Sequence, residues 1–579
     1  MAALVLEERP ELAQVVRRLD GPELAHQRLL PAPVERPGGH AREPRAEQDR
    51  REPEAEERNL EDRAQDRHVP EDLEQDEDQD EETDEAQHGR IVFSRAVQDT
   101  RASVGACSVP ALPVHGSRTI IHSVQDSRGP SPRAALTREV TRALGGALLL
   151  PLRVSEYLLG GDAARDELAA DLAGFVPAPT APEVPRLPER PIRIFISCAE
   201  ASGEIHAGSL AGALRKLIAA ARAPAPEFVG IGGARLAEQG VRVIGDPVAR
   251  AAMGFDGVVS GLPFYARLLE DTARVFRSPE RPDVFVPVDS PALHVPLAHT
   301  AQRYGIPVVH FIAPQYWAWA PWRVHGYRRA IDRALAILPF EPAWFERHGI
   351  PCAYVGHPLL DALADVPVHG SDGTARSLVI LPGSRANVIE RNLPWMLRVA
   401  QRLHAALPDA PVIVLQDDDK HEQHIAGHLR AAGGFARLAL GDLHGHLGRA
   451  RAALSVSGTI LLDLMHHRIP AVVVYRVERR GEMWMYRHLM SAPYFASVNL
   501  LAGEEVLPEF CFRGEGPIEE IGRALFRCYN DTGWRARCRT GLDQAAKRLG
   551  PPGAADRAAR HVLAVAAPRL APGAAEAGR

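Results

Sequence analysis

The chain has 579 residues, of which 45% are apolar and 25% are charged, an ordinary balance for globular proteins that bury a large core. This length is typical of about two to four domains. A formal net charge of -6 gives no overall positive field, which argues against nucleic acid as the main partner. The cysteines are scattered without a C-x-x-C pair, so they predict neither a disulfide framework nor a zinc site and favour a reducing cytoplasm. No window is apolar enough to span a bilayer, and a soluble or peripheral protein is expected.

Residues 1–130 are predicted to be a disordered, charged extension. Arg, Glu, Asp and Gln dominate the sequence from Glu43 to Gln87, and such a segment buries too little apolar surface to offset its ordering entropy. An acidic interaction tail is one interpretation. The favoured one is a mis-assigned start, because no methionine occurs between Met1 and Met253.

Residues 131–190 are predicted to form a helical segment followed by a Pro-rich linker. The apolar run Ala143–Leu152 continues into a half-polar stretch that ends at Leu159. This pattern suits an amphipathic helix packed on the main body, and it also suits a helix lying on a membrane surface. The proline-rich stretch Val176–Pro191 reads as the linker.

From Ile192 onwards, β-rich apolar runs alternate with helical stretches, which indicates an α/β fold with parallel sheets covered on both faces. The predicted strands are Ile192–Ser197, Glu227–Gly230, Val284–Val288, Pro307–Ile312, Leu335–Leu338, Leu378–Leu381, Pro411–Leu415, Ala452–Val456 and Ala471–Val474. Two such series predict two Rossmann-like domains, at residues 191–370 and 371–545, followed by a predicted C-terminal helix and tail at residues 546–579. Ligands of open α/β sheets bind at the carboxyl ends of the strands.

Three turns of the first half present polar or aromatic residues at that edge. Ser202 and Gly203 follow Glu200 in a turn that opens a helix, where an anion would be stabilised and where Glu200 could act as a base or simply cap the helix. A second strand is bounded by Asp283 and Asp289. After a third strand, Trp317 and Trp319 could form a sugar platform or acyl groove, or a packed corner between domains.

Two turns of the second half suit a nucleotide diphosphate bound without a metal. Gly383 allows close backbone approach, Ser384 can bind a phosphate oxygen, and Arg385 supplies a forked cation. Ser457, Gly458 and Thr459 likewise follow a strand and open the helix Ile460–His467. Neither a Walker A sequence nor a G-x-G-x-x-G fingerprint is present.

A histidine cluster in the second half raises the question of a metal. His421, His424 and His428 have helical spacing, and His444 and His446 follow. Helical spacing can place ligands on one face. Because no carboxylate is predicted beside them, a solvated polar face is the favoured interpretation, and no metal or cofactor is predicted.

Taken in order, these turns resemble the motifs of the bacterial lipid-A-disaccharide synthase family, whose members are GT-B glycosyltransferases. The matching elements are Cys198–Glu204, Val229–Gly233, Met253-Gly254, Gln315–Trp319, Leu338–Glu341, Gly356–Pro358, Leu381–Arg385, Ser457–Thr459, Tyr475-Arg476, Asn499 and Pro508-Glu509. Four positions depart from the family pattern. Asp289 is kept in the D-x-P-D-F-N element, but Ala292 stands where the family has a proposed catalytic Asp. Asn387, Asp463 and Phe512 replace a family acid, Glu and Gln.

The resemblance implies an inverting transfer of 2,3-diacylglucosamine from UDP-2,3-diacylglucosamine to 2,3-diacylglucosamine 1-phosphate. The first domain would hold the acceptor, with Glu200 and Asp289 facing the sugar and His294 a candidate base. The second would hold the UDP-sugar, which is a substrate rather than a cofactor. The residues implied to bind UDP are Ser384, Arg385, Ser457, Gly458, Thr459 and Asn499, with Glu509 on the ribose or nearby. Gly383 and Arg476 are further candidates for substrate binding.

Acylated substrates imply contact with a membrane, on the inner face of the inner membrane. Basic and apolar residues alternate at helical spacing over Arg476–Met490, which fits an interfacial surface, although an interdomain or homodimer contact would use the same residue types. Two further functions remain open. One is a GT-B relative that uses another UDP-sugar or acceptor, and the other is a catalytically silent protein that binds UDP-sugar or lipid.

Overall fold

The computed structural model describes residues 129–174, 178–252, 258–368 and 375–570. The predicted charged extension therefore lies almost wholly outside the described residues, and Met253-Gly254 lies outside them as well. The described strands are β1 Arg193–Ser197, β2 Glu227–Ile231, β3 Arg242–Val243, β4 Val284–Pro287, β5 Val309–Phe311, β6 Arg333–Ala336, β7 Cys352–Tyr354, β8 Ser377–Leu381, β9 Val412–Gln416, β10 Ala436–Leu440, β11 Ala450–Val456, β12 Ala471–Val477 and β13 Glu509–Arg513.

The described helices alternate with these strands along most of the chain. They are α1 Pro132–Leu148, α2 Leu150–Ala173, α3 Ala201–Ala220, α4 Ala234–Glu238, α5 Pro247–Ala252, α6 Val258–Arg277, α7 Pro291–Arg303, α8 Val324–Tyr327, α9 Glu341–Arg347, α10 Leu359–Leu363, α11 Ala386–Ala406, α12 Glu422–Ala431, α13 Leu443–Gly448, α14 Ile460–His466, α15 Arg480–Leu489, α16 Ser497–Ala502, α17 Ile518–Asn530, α18 Thr532–Leu549 and α19 Ala554–Leu570. A 3-10 helix spans Pro321–Arg323.

The first half of the chain builds one parallel sheet. Its strands pair in the order β3-β2-β1-β4 and, separately, β5-β6-β7. Parallel bridges from Phe285 to Val308 and from Val288 to Phe311 join β4 to β5. The resulting order, β3-β2-β1-β4-β5-β6-β7, reverses direction beside β1, which is the doubly wound arrangement in which the crevice between β1 and β4 receives ligands.

The second half repeats this arrangement. Its sheet has the order β10-β9-β8-β11-β12-β13, and every pairing is parallel. The reversal falls between β8 and β11. Alternate residues of β8 enter different cores: Val379 and Leu381 face the core shared with the first half, whereas Leu378 and Ile380 face the outer core. Burial on both faces explains why these strands are almost wholly apolar.

The predicted α/β fold with two Rossmann-like sheets is confirmed. All nine predicted strands are present, although β6 begins two residues before the predicted Leu335–Leu338 and ends at Ala336. The strands β3, β7, β10 and β13 were not predicted. β3 and β7 have only two and three residues, too few for a period-two pattern to be recognised.

Helices from both ends of the described chain connect the halves. The C-terminal helix α19 packs on α3, β4 and β5 of the first half, and Asp361 caps it by accepting from the backbone N–H groups of Ala554 and Ala555 at 3.0 Å each. At the other end, α1 packs on α6, and α2 packs on α9, α15 and α16. Among the described helices, none is both long enough and apolar enough to cross a bilayer.

Candidate active site

The carboxyl ends of the two sheets meet at a contact between Glu200 and Arg385. Glu200 follows β1 and precedes α3, but its side chain makes no capping bond with that helix. Instead its Oε2 accepts from Arg385 Nη2 at 3.1 Å. The side chains are 38% and 73% exposed, so the pair adds little to stability. Its importance is positional, because it shows that the two predicted ligand-binding edges face each other.

Asp289 lies beside Glu200 at the end of β4. Its backbone has φ 54°, in the left-handed region, which costs a non-glycine residue roughly 1–2 kcal/mol. The Asp289 carbonyl oxygen accepts from His294 Nδ1 at 2.5 Å and from His310 Nε2 at 3.0 Å, and these bonds hold the strained backbone in place. Burial raises the pKa of the half-buried Asp289 carboxyl, and the nearby Glu200 carboxylate raises it further. Strain held in this way is typical of functional sites.

His294 supports the site from behind rather than facing the cleft. Its side chain has no exposed surface, and its Nε2 lies 2.9 Å from Ser197 Oγ while its Nδ1 is bonded to Asp289. Burial lowers its pKa to about 4, so the ring is neutral at pH 7. With both ring nitrogens engaged internally, His294 cannot reach an acceptor hydroxyl as placed. Its role as a candidate base is not supported by this geometry.

The turn between β1 and α3 is also supported by residues whose role cannot be recognised from the sequence. Glu204 is buried, and its Oε1 accepts from Leu236 N at 2.9 Å, which fixes the loop after β2. Within β2 itself, a Cβ on Gly230 would stand 1.9 Å from Ile196 O, so only glycine fits. Gly203 is buried against the end of β4, whereas Ser202 is exposed in the first turn of α3.

The turn after β8 is open for a ligand. Gly383 has φ 106°, and a Cβ there would stand 2.6 Å from Val388 Cγ1, so the turn requires glycine. Its carbonyl oxygen accepts from Gln416 Nε2 at 3.0 Å. Ser384 and Arg385 are exposed, and α11 begins at Ala386 without a side-chain cap. The N–H group of Val388 already donates to Arg385 O, but those of Ala386 and Asn387 at the start of this long helix are available to an anion.

A second open turn lies next to it, because β8 and β11 are neighbours in the sheet. Gly458 and Thr459 are exposed between β11 and α14. Ser457 Oγ donates to Phe495 O at 3.1 Å, so this hydroxyl is already used within the protein. Asp463 follows on α14, where burial raises its pKa to about 7 and the nearby Asp417 adds to the shift. In the sequence, Asp463 is recognisable as a lone carboxylate inside the apolar stretch Ile460–Met465.

The two tryptophans form a packed corner, one of the two interpretations left open by the sequence. Trp317 is 1% exposed, and its Nε1 donates to Glu341 Oε1 at 2.9 Å. Glu341 also accepts from the N–H groups of Ile337 and Leu338, and burial raises its pKa to about 7. Trp319 forms an antiparallel backbone bridge with Met490 of the second half, and its side chain packs against the cluster of Tyr157, Met485 and Leu489. Neither ring forms an open platform.

Asn499 and Glu509 hold a loop together. Asn499 has no exposed surface, donates to Leu507 O at 2.8 Å and accepts from the N–H groups of Val506 and Leu507 at 2.9 Å each. It also donates to Glu509 Oε2 at 3.0 Å. Glu509 accepts two more bonds from the N–H groups of Phe495 and Ala496. These two residues are committed to the protein's own backbone.

Two further predicted residues are engaged by other parts of the protein. Asp283 is at the amino end of β4, where Arg190 binds both carboxylate oxygens at 2.7 and 2.9 Å. That edge of the sheet is opposite the candidate site. Arg476 is held by the carbonyl oxygens of Gly514 and Arg391, and it lines an open cavity of about 600 Å³ together with Asn387 and Glu390.

The histidine cluster does have a carboxylate neighbour, so the expectation that none lies beside it is wrong. Glu390 of α11 reaches His424 and His428 of α12, and each Nε2 contacts Glu390 Oε2. Glu390 is distant in sequence and lies on another helix, which is why the local pattern did not reveal it. His421 lies before the helix and is not part of the cluster.

Two parallel, doubly wound sheets whose carboxyl edges face each other define the GT-B fold. The sequence profile described as lipid-A-disaccharide synthetase matches residues 194–535. The chain belongs to the lipid-A-disaccharide synthase family, and the resemblance seen in its motifs is confirmed. As a family member it is a glycosyltransferase of lipid A biosynthesis.

Curated relatives cover most of the chain. A lipid-A-disaccharide synthase of Myxococcus xanthus is 34% identical over 385 residues, covering 65% of this chain and 98% of the relative. That of Pectobacterium atrosepticum is 32% identical over 403 residues, covering 66% and 99%. Among solved structures, the UDP-GlcNAc 2-epimerase of Neisseria meningitidis bound to UDP-GlcNAc is similar at TM-score 0.40 and 11% identity, covering 65% of this chain and 99% of that one.

Proposed function

We propose that this chain joins UDP-2,3-diacylglucosamine to 2,3-diacylglucosamine 1-phosphate, giving the β-1,6-linked disaccharide 1-phosphate and UDP. The observation that carries this proposal is the Glu200–Arg385 contact, which brings the acidic edge of the first sheet to the basic, glycine-containing edge of the second. An acceptor hydroxyl at the first edge would then lie within reach of a sugar diphosphate at the second. Family membership supplies the substrate class.

The second half holds the donor in this proposal. The diphosphate binds the exposed Ser384 and Arg385, the free N–H groups at the start of α11, and the exposed turn at Gly458 and Thr459. Helix N-termini favour anions, and the arginine fork binds two phosphate oxygens at once. Arg385 is paired with Glu200 through a solvent-exposed contact, so a diphosphate can displace the carboxylate at little cost.

Asp289 acts as the base in this proposal. Its carboxyl is half-buried at the cleft edge, with a pKa raised by burial, and a raised pKa makes a carboxylate a better proton acceptor near neutral pH. The acceptor's 6-hydroxyl oxygen attacks the anomeric carbon from the face opposite the diphosphate, and its proton passes to Asp289. The bond from the anomeric carbon to the diphosphate breaks, and its electron pair leaves with UDP beside Arg385. A single in-line displacement inverts the anomeric centre.

The proposal is tested by supplying both acylated sugars and identifying the products by mass spectrometry, with the linkage assigned by NMR. The expected product is the β-1,6 disaccharide 1-phosphate in equal amount to UDP. Glu200→Gln should reduce the rate, and His294→Gln should reduce it through a misplaced Asp289. An α-linked product, or a disaccharide from a different donor only, would reject the assigned reaction.

The exposed leucines of α1 and α2 extend this proposal to a membrane surface. Leu148 and Leu159 are 80% and 90% exposed, and further exposed apolar residues lie between and beside them, at Val140, Leu144, Leu149, Leu152 and Leu158. Soluble surfaces seldom gather so many. The predicted surface Arg476–Met490 is partly covered instead, because Tyr157 of α2 packs with Met485 and Leu489. We therefore expect the lipid contact at residues 140–159, on the inner face of the inner membrane.

Vesicle sedimentation tests this surface. The double change Leu148→Asp and Leu159→Asp should release the protein from vesicles of anionic and zwitterionic phospholipids, since each charge opposes insertion. Leu440→Asp is a matched control, because Leu440 is 37% exposed in the second half. Equal sedimentation of both variants and the parent would contradict the assignment.

One observation favours a second candidate, a protein that binds the UDP-sugar without transferring it. Ala292 is exposed in the first turn of α7, at the position where the family pattern has an acid, so its own side chain offers no base. The variant Ala292→Asp separates the two candidates. A parent that binds UDP but forms no disaccharide, together with an Ala292→Asp variant that does, would favour the binding protein.

A further inference from the structure

Helices α11 and α12 pack together and place three metal-ligating side chains at one point. Glu390 lies on α11, and His424 and His428 lie one turn apart on α12. Their ligand atoms all lie within 4.8 Å of one another. His428 Nε2 is 3.0 Å from Glu390 Oε2 and 3.4 Å from His424 Nε2, and His424 Nε2 also contacts Glu390 Oε2.

The separation of the two imidazole nitrogens matches that of a tetrahedral metal site. Zinc binds imidazole nitrogen at about 2.0–2.1 Å, and two ligands at a tetrahedral angle are then separated by about 3.3–3.4 Å. The two Nε2 atoms, 3.4 Å apart, have this spacing before any metal is added. The rings are nearly perpendicular, with 87° between their planes, so both lone pairs can converge on one ion without ring overlap.

A hydrogen-bonded cluster is the alternative to a metal site. Both Nε2 atoms approach the same carboxylate oxygen, Glu390 Oε2, so two N–H groups would have to point at one acceptor while lying 3.4 Å from each other. A cation replaces both protons and accepts all three lone pairs. The side chains of Glu390 and His424 are 56% and 50% exposed, and that of His428 is 21% exposed, so an ion and its water ligand have access.

We infer that Glu390, His424 and His428 form a binding site for one divalent transition-metal ion, with Zn²⁺ the best match to two imidazoles and one carboxylate. Three protein ligands leave a fourth position to water. The ion would join α11 to α12. Glu390 is five residues after Arg385, about 7.5 Å of helical rise, so the ion would steady the helix whose first turn faces the cleft. The site does not depend on the proposed reaction.

Metal binding is tested on the full chain, purified without a polyhistidine tag and dialysed against a chelator. Zn²⁺ is titrated in competition with a chromophoric chelator, and Co²⁺ binding is followed by the visible absorption of its tetrahedral complex. The parent should bind one tight ion per chain and should melt at a higher temperature when it is loaded. Glu390→Gln and the double variant His424→Gln with His428→Gln should each weaken binding more than about tenfold, since even outer-shell changes cost that much.

His421→Gln is the matched control, because it removes a neighbouring histidine that lies outside the cluster, and it should bind Zn²⁺ as the parent does. Circular dichroism of each variant without metal checks that the fold is retained. Two results would overturn the inference: a parent without a tight site, or a double variant that binds Zn²⁺ and gives the tetrahedral Co²⁺ spectrum as strongly as the His421→Gln control.

Discussion

Replacing Asn499 with alanine should destabilise the protein strongly, because its buried side chain forms four hydrogen bonds that hold a loop in place. Asn499 accepts bonds from the N–H groups of Val506 and Leu507, and it donates to Leu507 O and Glu509 Oε2. A buried backbone N–H left without an acceptor costs about 1–3 kcal/mol. Two such groups give a loss of about 2–6 kcal/mol, a large fraction of the ~5–15 kcal/mol that stabilises a typical domain.

Asn499→Asp is a sharper variant of the same test. It keeps both accepted bonds but loses the two donated ones, and it places a second carboxyl beside Glu509. Burial raises the pKa of Glu509 to about 7, so the two groups can share a proton at pH 5 but repel each other as pH rises through 7. The stability deficit of Asn499→Asp relative to the parent should therefore be larger at pH 8 than at pH 5.

Urea and thermal unfolding, followed by circular dichroism, measure both effects. Asn387→Ala is the control, since Asn387 is exposed at the start of α11 and an exposed change of this kind usually alters stability by less than about 0.5 kcal/mol. If Asn499→Ala unfolds at the same urea concentration as Asn387→Ala while losing affinity for UDP, Asn499 is a ligand contact and the account of this loop is wrong.

Three other predictions concern the cleft and the opposite edge of the first sheet. Glu200→Gln removes a charge that raises the pKa of Asp289, so the acidic limb of the pH profile of kcat/KM should move to lower pH. An unchanged limb would show that Asp289 is not the group whose ionisation this limb reports. Gly383→Ala forces a side chain into a backbone at φ 106°, which should strain the turn by about 1–3 kcal/mol and weaken UDP binding in calorimetry, whereas unchanged affinity would place the diphosphate elsewhere. Asp283→Asn breaks the bidentate pair with Arg190 and should lower the melting temperature while leaving KM unchanged. A raised KM would show that Asp283 contributes to substrate binding.

The architecture could be predicted from the sequence because strands buried on both faces are continuous apolar runs. The turns at Glu200, Asp289, Gly383 and Ser457 were located for the same reason, since each follows such a run. What the sequence could not show is which motif residues face a ligand. Asn499 serves the backbone of a loop several residues away, and a hydrogen-bond partner of that kind leaves no periodic signal.

Contacts between residues that are distant in sequence could not be predicted either. Glu390 and His428 are 38 positions apart, and their meeting depends on how α11 and α12 pack. Trp317 finds its partner Glu341 through the buried corner rather than through sequence spacing. His294 stood at a plausible catalytic position, but its ring turns inward because Ser197 and the Asp289 carbonyl offer it two bonds.

The most direct test of the central claim is the rate of acceptor-dependent disaccharide formation by the parent and by Asp289→Asn, at saturating UDP-2,3-diacylglucosamine. The account predicts that the parent forms the disaccharide and that Asp289→Asn binds UDP with similar affinity but reacts about 10²–10⁴-fold more slowly, the usual effect of losing a general base. A folded Asp289→Asn variant that reacts as fast as the parent, or a parent that binds UDP and forms no disaccharide, would contradict it.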